Sequence, residues 1–222
     1  MNIENATSAA PTRSYIEERG FHLRGMVGAV LIGGVTIAAA CSTPLTAIPS
    51  AARTFLAALG WASFLAGAGV RLWSTLYIGG RKVGGRRENV LTVDGPYSIV
   101  RNPLYVGSLL IGLSTALLLQ SATVLAAVIA AAVHYAWKTV PAEERFLRGL
   151  CGAATFDDYC RRTPRFIPNP RLYRSPAEVT VYVKAMRNEA RRLLRLLPLP
   201  MLLTLLNELR HSTVWPAWFT LP

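Results

Sequence analysis

Residues 95–107 read Gly-Pro-Tyr-Ser-Ile-Val-Arg-Asn-Pro-Leu-Tyr-Val-Gly, which sets Arg101 and Asn102 directly against a membrane-length apolar run. An ionisable group at a membrane edge is costly unless it is paired or faces a wet cavity, so this arginine marks a candidate functional site. A positively charged anchor is the plainer reading. An anchor, however, needs neither the Gly-Pro-Tyr turn before the arginine nor the Asn-Pro break after it. A second charged element, Glu143-Glu144, follows the next two apolar runs and is preceded by Lys138. Adjacent carboxylates on a helix point about 100° apart, so one can serve the fold while the other meets a ligand. A surface cluster satisfied by Lys138, Arg145 and Arg148 is the alternative.

The elements that must position these residues are apolar. Of 222 residues, 52% are hydrophobic and 16% charged, the balance of a membrane protein rather than a soluble domain. Four apolar runs, 25–41, 54–70, 104–120 and 123–137, approach the ~17–20 residues that cross ~30 Å of hydrocarbon. Lys and Arg set the orientation: residues 42–50 contain none, 71–101 contain six and 138–222 contain fourteen. The positive-inside rule then puts both termini in the cytosol, with Arg53 alone at the outer edge, where it can snorkel. The bacterial inner membrane is the expected location. The net charge of +12 comes without a recognition motif or stacking platform for nucleic acid, so anionic lipid headgroups are the expected partner.

Runs three and four are separated only by Gln120-Ser121-Ala122, which predicts a tight antiparallel hairpin. Its ends bring Tyr97, Arg101, Asn102 and Tyr105 beside Lys138, Glu143 and Glu144. His134 reads as a packing residue, and Gly67-Ala68-Gly69 as a seam for close helix approach. Cys41, Cys151 and Cys160 show no metal-ligand spacing, and reduced thiols are expected. No metal site is expected. Residues 1–20 read as a loose tail rather than a cleaved signal. After the acidic pair, residues 146–168 mix bases and aromatics between prolines, as either an interfacial anchor or a lid.

The ordered set Gly-Pro-Tyr-x-x-x-Arg-Asn-Pro-x-Tyr-x-Gly, Glu-Glu-x-x-Leu after a helical hairpin, then Tyr-x-x-Arg-x-Pro-Arg-Phe-x-Pro, resembles the isoprenylcysteine carboxyl methyltransferase and phospholipid methyltransferase superfamily of integral-membrane enzymes. The likeness covers residues 91–168. It implies an all-α membrane bundle of about four transmembrane helices, with an S-adenosylmethionine pocket on the cytosolic side instead of a Rossmann unit. In these terms 1–20 is a cytosolic tail, 21–168 the methyltransferase core and 169–222 an amphipathic C-terminal extension lying on the membrane.

Carried over by position, the resemblance places Tyr97, Arg101, Asn102, Pro103, Tyr105, Gly107, Glu143 and Glu144 around the cofactor. Glu144, then Glu143, would meet the ammonium or ribose hydroxyls, Arg101 the carboxylate, and the Tyr97 and Tyr105 rings the adenine or sulfonium. Tyr159 and Arg162 match the closing segment, with Arg162 on the acceptor side; with Glu144 they form the expected catalytic set. Family members often carry histidine where Asn102 stands, and Cys151-Gly152 replaces their Phe-Gly. The implied reaction is methyl transfer to a lipophilic acceptor, first a prenylcysteine-type carboxylate, alternatively a phospholipid amine or small thiol. An NADPH-dependent reductase similar to the membrane sterol reductases, and a non-enzymatic membrane scaffold, are the other readings.

Overall fold

In the computed structural model, residues 48–78 and 91–211 are described, together with Gly33, Gly34, Ile37, Ser42, Thr43, Phe219 and Thr220. The tail 1–20 and the basic loop 81–89 lie outside the described residues, as does the first expected span apart from Gly33, Gly34 and Ile37, which are helical.

Helix α1, Ser50–Ile78, has 29 residues and is ~43 Å long. Its buried face is made of small residues, among them Gly60, Ser63, Gly67 and Ser74, and packs along α3, Pro103–Leu119. Ser63 Oγ donates to Leu110 O at 2.9 Å across this seam. The glycines set its closeness: a Cβ on Gly67 would lie 2.7 Å from Gly107 O, and one on Gly107 2.8 Å from Gly67 O. Between the two helices, the short α2, Pro96–Ile99, starts at Gly95, whose φ of 59° suits glycine.

The hairpin forms as its sequence predicts. Gln120 closes α3 in the left-handed conformation (φ 51°), and Ser121 Oγ caps α4, Ala122–His134, by accepting from Val124 N. A π-turn, Tyr135–Thr139, then carries α4 into α5, Val140–Cys151, with Val140 N donating to Tyr135 O. Pro141 explains the widened turn, because it has no N–H for the carbonyl four residues back and its ring crowds that carbonyl. Two helical stretches among the described residues, Ser50–Ile78 and Ala122–Cys151, are long and apolar enough to cross a membrane; the apolar α3 is shorter, at 17 residues. Leu125, Ile129, Val133 and Trp137, at four-residue intervals, stand exposed along α4 and the π-turn as an apolar stripe. His134 is exposed beside it, with its ring 6.2 Å from Tyr135.

Gly152 (φ 87°) turns the chain into α6, Ala153–Arg162, which buries Phe156 and Tyr159. An extended return follows. Arg101 N donates to Pro164 O, Asn169 N to Ile99 O and Gly95 N to Arg174 O, all at 2.8–2.9 Å, so residues 164–174 run antiparallel along 95–101.

The C-terminal extension departs from the sequence reading. Instead of lying on the surface, α7, Val183–Leu196, and α8, Pro198–Arg210, pack against α1 and α3. Leu203 enters the core cluster of Ala116, Leu118, Leu119 and Val124, and Trp61 Nε1 donates to Thr204 Oγ1 at 3.2 Å. Pro198 and Pro200 begin α8 rather than break it, since the first turn of a helix has no intrahelical use for those N–H groups. Glu189 meets Arg71 near the start of α3, whereas Arg210 donates to Leu119 O at its end. The chain therefore leaves α8 at the end of the bundle opposite residues 95–105. Ser42–Thr43 (β1) pairs in parallel with Phe219–Thr220 (β2).

Candidate functional site

The hairpin brings the two charged arms together. Tyr105 OH donates to Glu143 Oε2 at 3.0 Å, and its ring lies 5.4 Å from that of Tyr135. Glu144 pairs with Arg101 at 3.3 Å through Oε1 and accepts from Arg165 Nε at 3.1 Å, with a second contact from Arg165 Nη2 to Oε2. The two carboxylates thus take separate partners, as their angular separation on α5 requires. Arg101 also donates to Cys160 Sγ at 2.6 Å. Asn102 donates from Nδ2 to Arg165 O at 3.2 Å, tying the motif turn to the return strand, and Pro103 is buried at the first position of α3.

Tyr159 reaches the same place from α6, its hydroxyl donating to Tyr97 O at 2.8 Å. Burial pushes both phenols above their ordinary pKa, with the nearby Tyr159 and Glu143 adding to the effect at Tyr97. Both therefore stay protonated hydrogen-bond donors at neutral pH. The Tyr97 hydroxyl and Arg101 Nε are buried with no partner among the described residues. An open cavity of about 650 Å³ lies beside Arg101, lined also by Cys160, Arg161, Arg162, Ile167 and Leu172 among others.

Two expected residues fall elsewhere. Gly107 forms the contact with Gly67 and lies against Arg71, whose Cγ a Cβ would meet at 2.7 Å. Arg162 is held by Asp158, four residues earlier on α6, and is exposed, so it borders the cavity without joining the Glu144 cluster. Arg165 takes the inner position instead. The i,i+4 spacing of Asp158 and Arg162 is the sequence signal for this exchange.

A family model described as phospholipid methyltransferase matches residues 55–153. The nickel-cobalt-cadmium resistance protein NccN of Alcaligenes xylosoxydans xylosoxydans is 33% identical over 152 residues, covering 68% of each chain. The chain belongs to the phospholipid methyltransferase family. This family falls within the superfamily of membrane methyltransferases that also holds the isoprenylcysteine carboxyl enzymes. A second member similar to this one, the cobalt-zinc-cadmium resistance protein CzcN of Cupriavidus metallidurans (strain ATCC 43123 / DSM 2839 / NBRC 102507 / CH34), is 39% identical over 115 residues, 52% of this chain. The match spans about half of that relative's own length, 50%. No solved structure matches this phospholipid methyltransferase family member. The matched range holds the 97–107 motif and both glutamates, and ends before Tyr159, Arg162, Arg165 and the whole of α7 and α8.

Proposed function

We propose that the protein is a membrane methyltransferase using S-adenosylmethionine, working at the cluster of Tyr97, Arg101, Tyr105, Glu143, Glu144 and Arg165. The observation that carries this reading is the closure of the motif arm onto the acidic pair, Tyr105 on Glu143 and Arg101 on Glu144. The residues fit the cofactor. Two buried polar atoms, the Tyr97 hydroxyl and Arg101 Nε, lack partners among the described residues. The donor set offers a guanidinium for a carboxylate, carboxylates for an ammonium or ribose hydroxyls, and the Tyr105 and Tyr135 rings for an adenine or sulfonium face. Glu144 and Arg101 would hold the two charged ends, with Glu143 secondary and Asn102 and Pro103 shaping the turn.

When bound, S-adenosylmethionine supplies an electrophilic methyl with a built-in leaving group. The protein's part is then alignment and exclusion of water, to which orientation contributes ~7–11 kcal/mol in favourable cases. A carboxylate acceptor needs no base, and Arg161 and Arg162 on the cavity wall share the single carboxylate of Asp158 and so leave a net positive charge for an anion; a lipophilic carboxylate of the prenylcysteine type is our first acceptor. A phospholipid amine is the second, favoured by the description of the matching family model. Beyond the cavity, Arg171, Arg174, Lys184, Arg187, Arg191 and Arg195 are exposed along the return segment and α7, with Tyr173 and Val183 exposed among them, a combination that suits anionic headgroups.

The relatives' names point to metal resistance. We connect this to membrane chemistry, with tolerance following from a modified membrane component. Calorimetric titration of S-adenosylhomocysteine into detergent-purified protein tests the reading, with NADPH as control. Binding that Glu144→Ala and Arg101→Ala abolish is expected. A wild type that takes NADPH instead, or neither ligand, refutes it.

A further inference from the structure

We propose that Glu189, in the C-terminal extension beyond the family match, is a positioning residue for the methyl-transfer site, holding Arg71 against the turn of α3 that carries Tyr105. The inference rests on the methyltransferase reading above. Arg71 lies near the cytosolic-motif end of α1 and would be an unmatched charge in an apolar seam without a partner. Glu189 supplies it: Arg71 Nε donates to Glu189 Oε1 at 2.7 Å and Nη2 lies 2.6 Å from the same oxygen, with the glutamate side chain only 9% exposed. Arg192 adds a contact to Glu189 Oε2 at 3.3 Å.

The guanidinium so fixed turns its other nitrogen to the motif helix. Arg71 Nη1 donates to Ser108 Oγ at 2.5 Å and to Leu104 O at 3.4 Å, and Ser108 Oγ itself donates to Leu104 O at 2.8 Å. Leu104 sits between Pro103 and Tyr105, so this clamp grips the turn from which Tyr105 reaches Glu143. Gly107 makes room for it, because any Cβ there would strike Arg71 Cγ. The charge of Arg71 also reaches the buried Tyr97 hydroxyl, where it opposes the effect of Glu143. A residue on α7 thereby sets the geometry of a site built from α2, α3 and α5.

A buried ion pair that only glues helices can be exchanged for apolar residues of similar size with little loss of stability. The decisive variant is therefore Arg71→Met with Glu189→Met, studied in the full chain beside Glu189→Gln and Glu189→Asp. The double variant is expected to keep its thermal midpoint and to bind S-adenosylhomocysteine about 10-fold more weakly, the loss of roughly one hydrogen bond from a loosened Tyr105 arm. Glu189→Asp should recover part of the affinity, and amide exchange over residues 103–108 should quicken in the double variant and in Glu189→Gln. Wild-type affinity and exchange in the double variant would overturn the positioning role while leaving the methyltransferase reading intact. A wild type that fails to bind S-adenosylhomocysteine would instead sink that reading, and the exchange measurement would still decide whether Glu189 holds the turn.

Discussion

Replacing Gly107 by alanine separates two roles for this motif residue, a wall of the ligand site or the floor of a helix seam. The added Cβ would lie 2.7 Å from Arg71 Cγ, 2.8 Å from Gly67 O and 3.3 Å from Arg71 N, so backbone must move. Overpacking of this kind costs ~1–3 kcal/mol, and contact with a backbone oxygen below van der Waals distance puts it near ~3. Alanine regains ~1 kcal/mol of helix propensity over glycine, leaving a net loss of ~2 kcal/mol. For a chain of this size that is ~4–8 °C in thermal midpoint. The control is Gly112→Ala on the same helix, where the new methyl would meet Val128 at 3.5 and 3.6 Å, ordinary contact. It should stabilise by ~1 kcal/mol, so the two variants differ by ~3. Circular dichroism melts in detergent read the difference, with S-adenosylhomocysteine titration in parallel. Equal midpoints would refute the helix-seam argument, and a Gly107→Ala protein of wild-type stability without ligand affinity would return the residue to the ligand wall.

Leu203→Ala should cost ~2–4 kcal/mol, because Leu203 is 3% exposed within the Ala116, Leu118, Leu119 and Val124 cluster; a surface-lying extension would give almost no change in the melt. Burial first, then Arg53 nearby, holds the His211 imidazole below its ordinary pKa. The unfolded chain therefore takes up the proton first, so stability is complete above about pH 6.5 and declines as pH falls below it. His211→Gln should flatten that decline between about pH 6.5 and 5, and an unchanged slope would remove His211 as its source.

What the sequence discloses about the site depends on how local the controlling residues are. The hairpin was legible because Gln120-Ser121 leaves room for nothing else, and from it followed the meeting of Tyr105 and Arg101 with Glu143 and Glu144. The Gly67 seam was legible from small residues alone. Arg71 and Glu189 stand 118 positions apart, and no periodicity links them. Pro198 and Pro200 do not announce a helix start, because a proline looks the same in sequence whether it ends one helix or starts the next. The choice of Arg165 over Arg162 turns on Asp158, a neighbour whose spacing was visible but whose competition with Glu144 is decided only in three dimensions.

The π-turn at Tyr135–Thr139 has a rotational meaning. Each residue advances a regular helix by about 100°, and a π-turn holds one more residue than the α-turn it replaces, so every side chain after it is turned by about that angle relative to the apolar stripe before it. Leu125, Ile129 and Val133 look outward, away from the bundle, yet Glu143 and Glu144, on the same unbroken rod, look inward at Tyr105 and Arg101. The widened turn acts as a phase shifter between an apolar surface and a polar one. Loss of a single residue there would leave the helix equally long and more regular, and would swing the acidic pair out of register with the arm it serves.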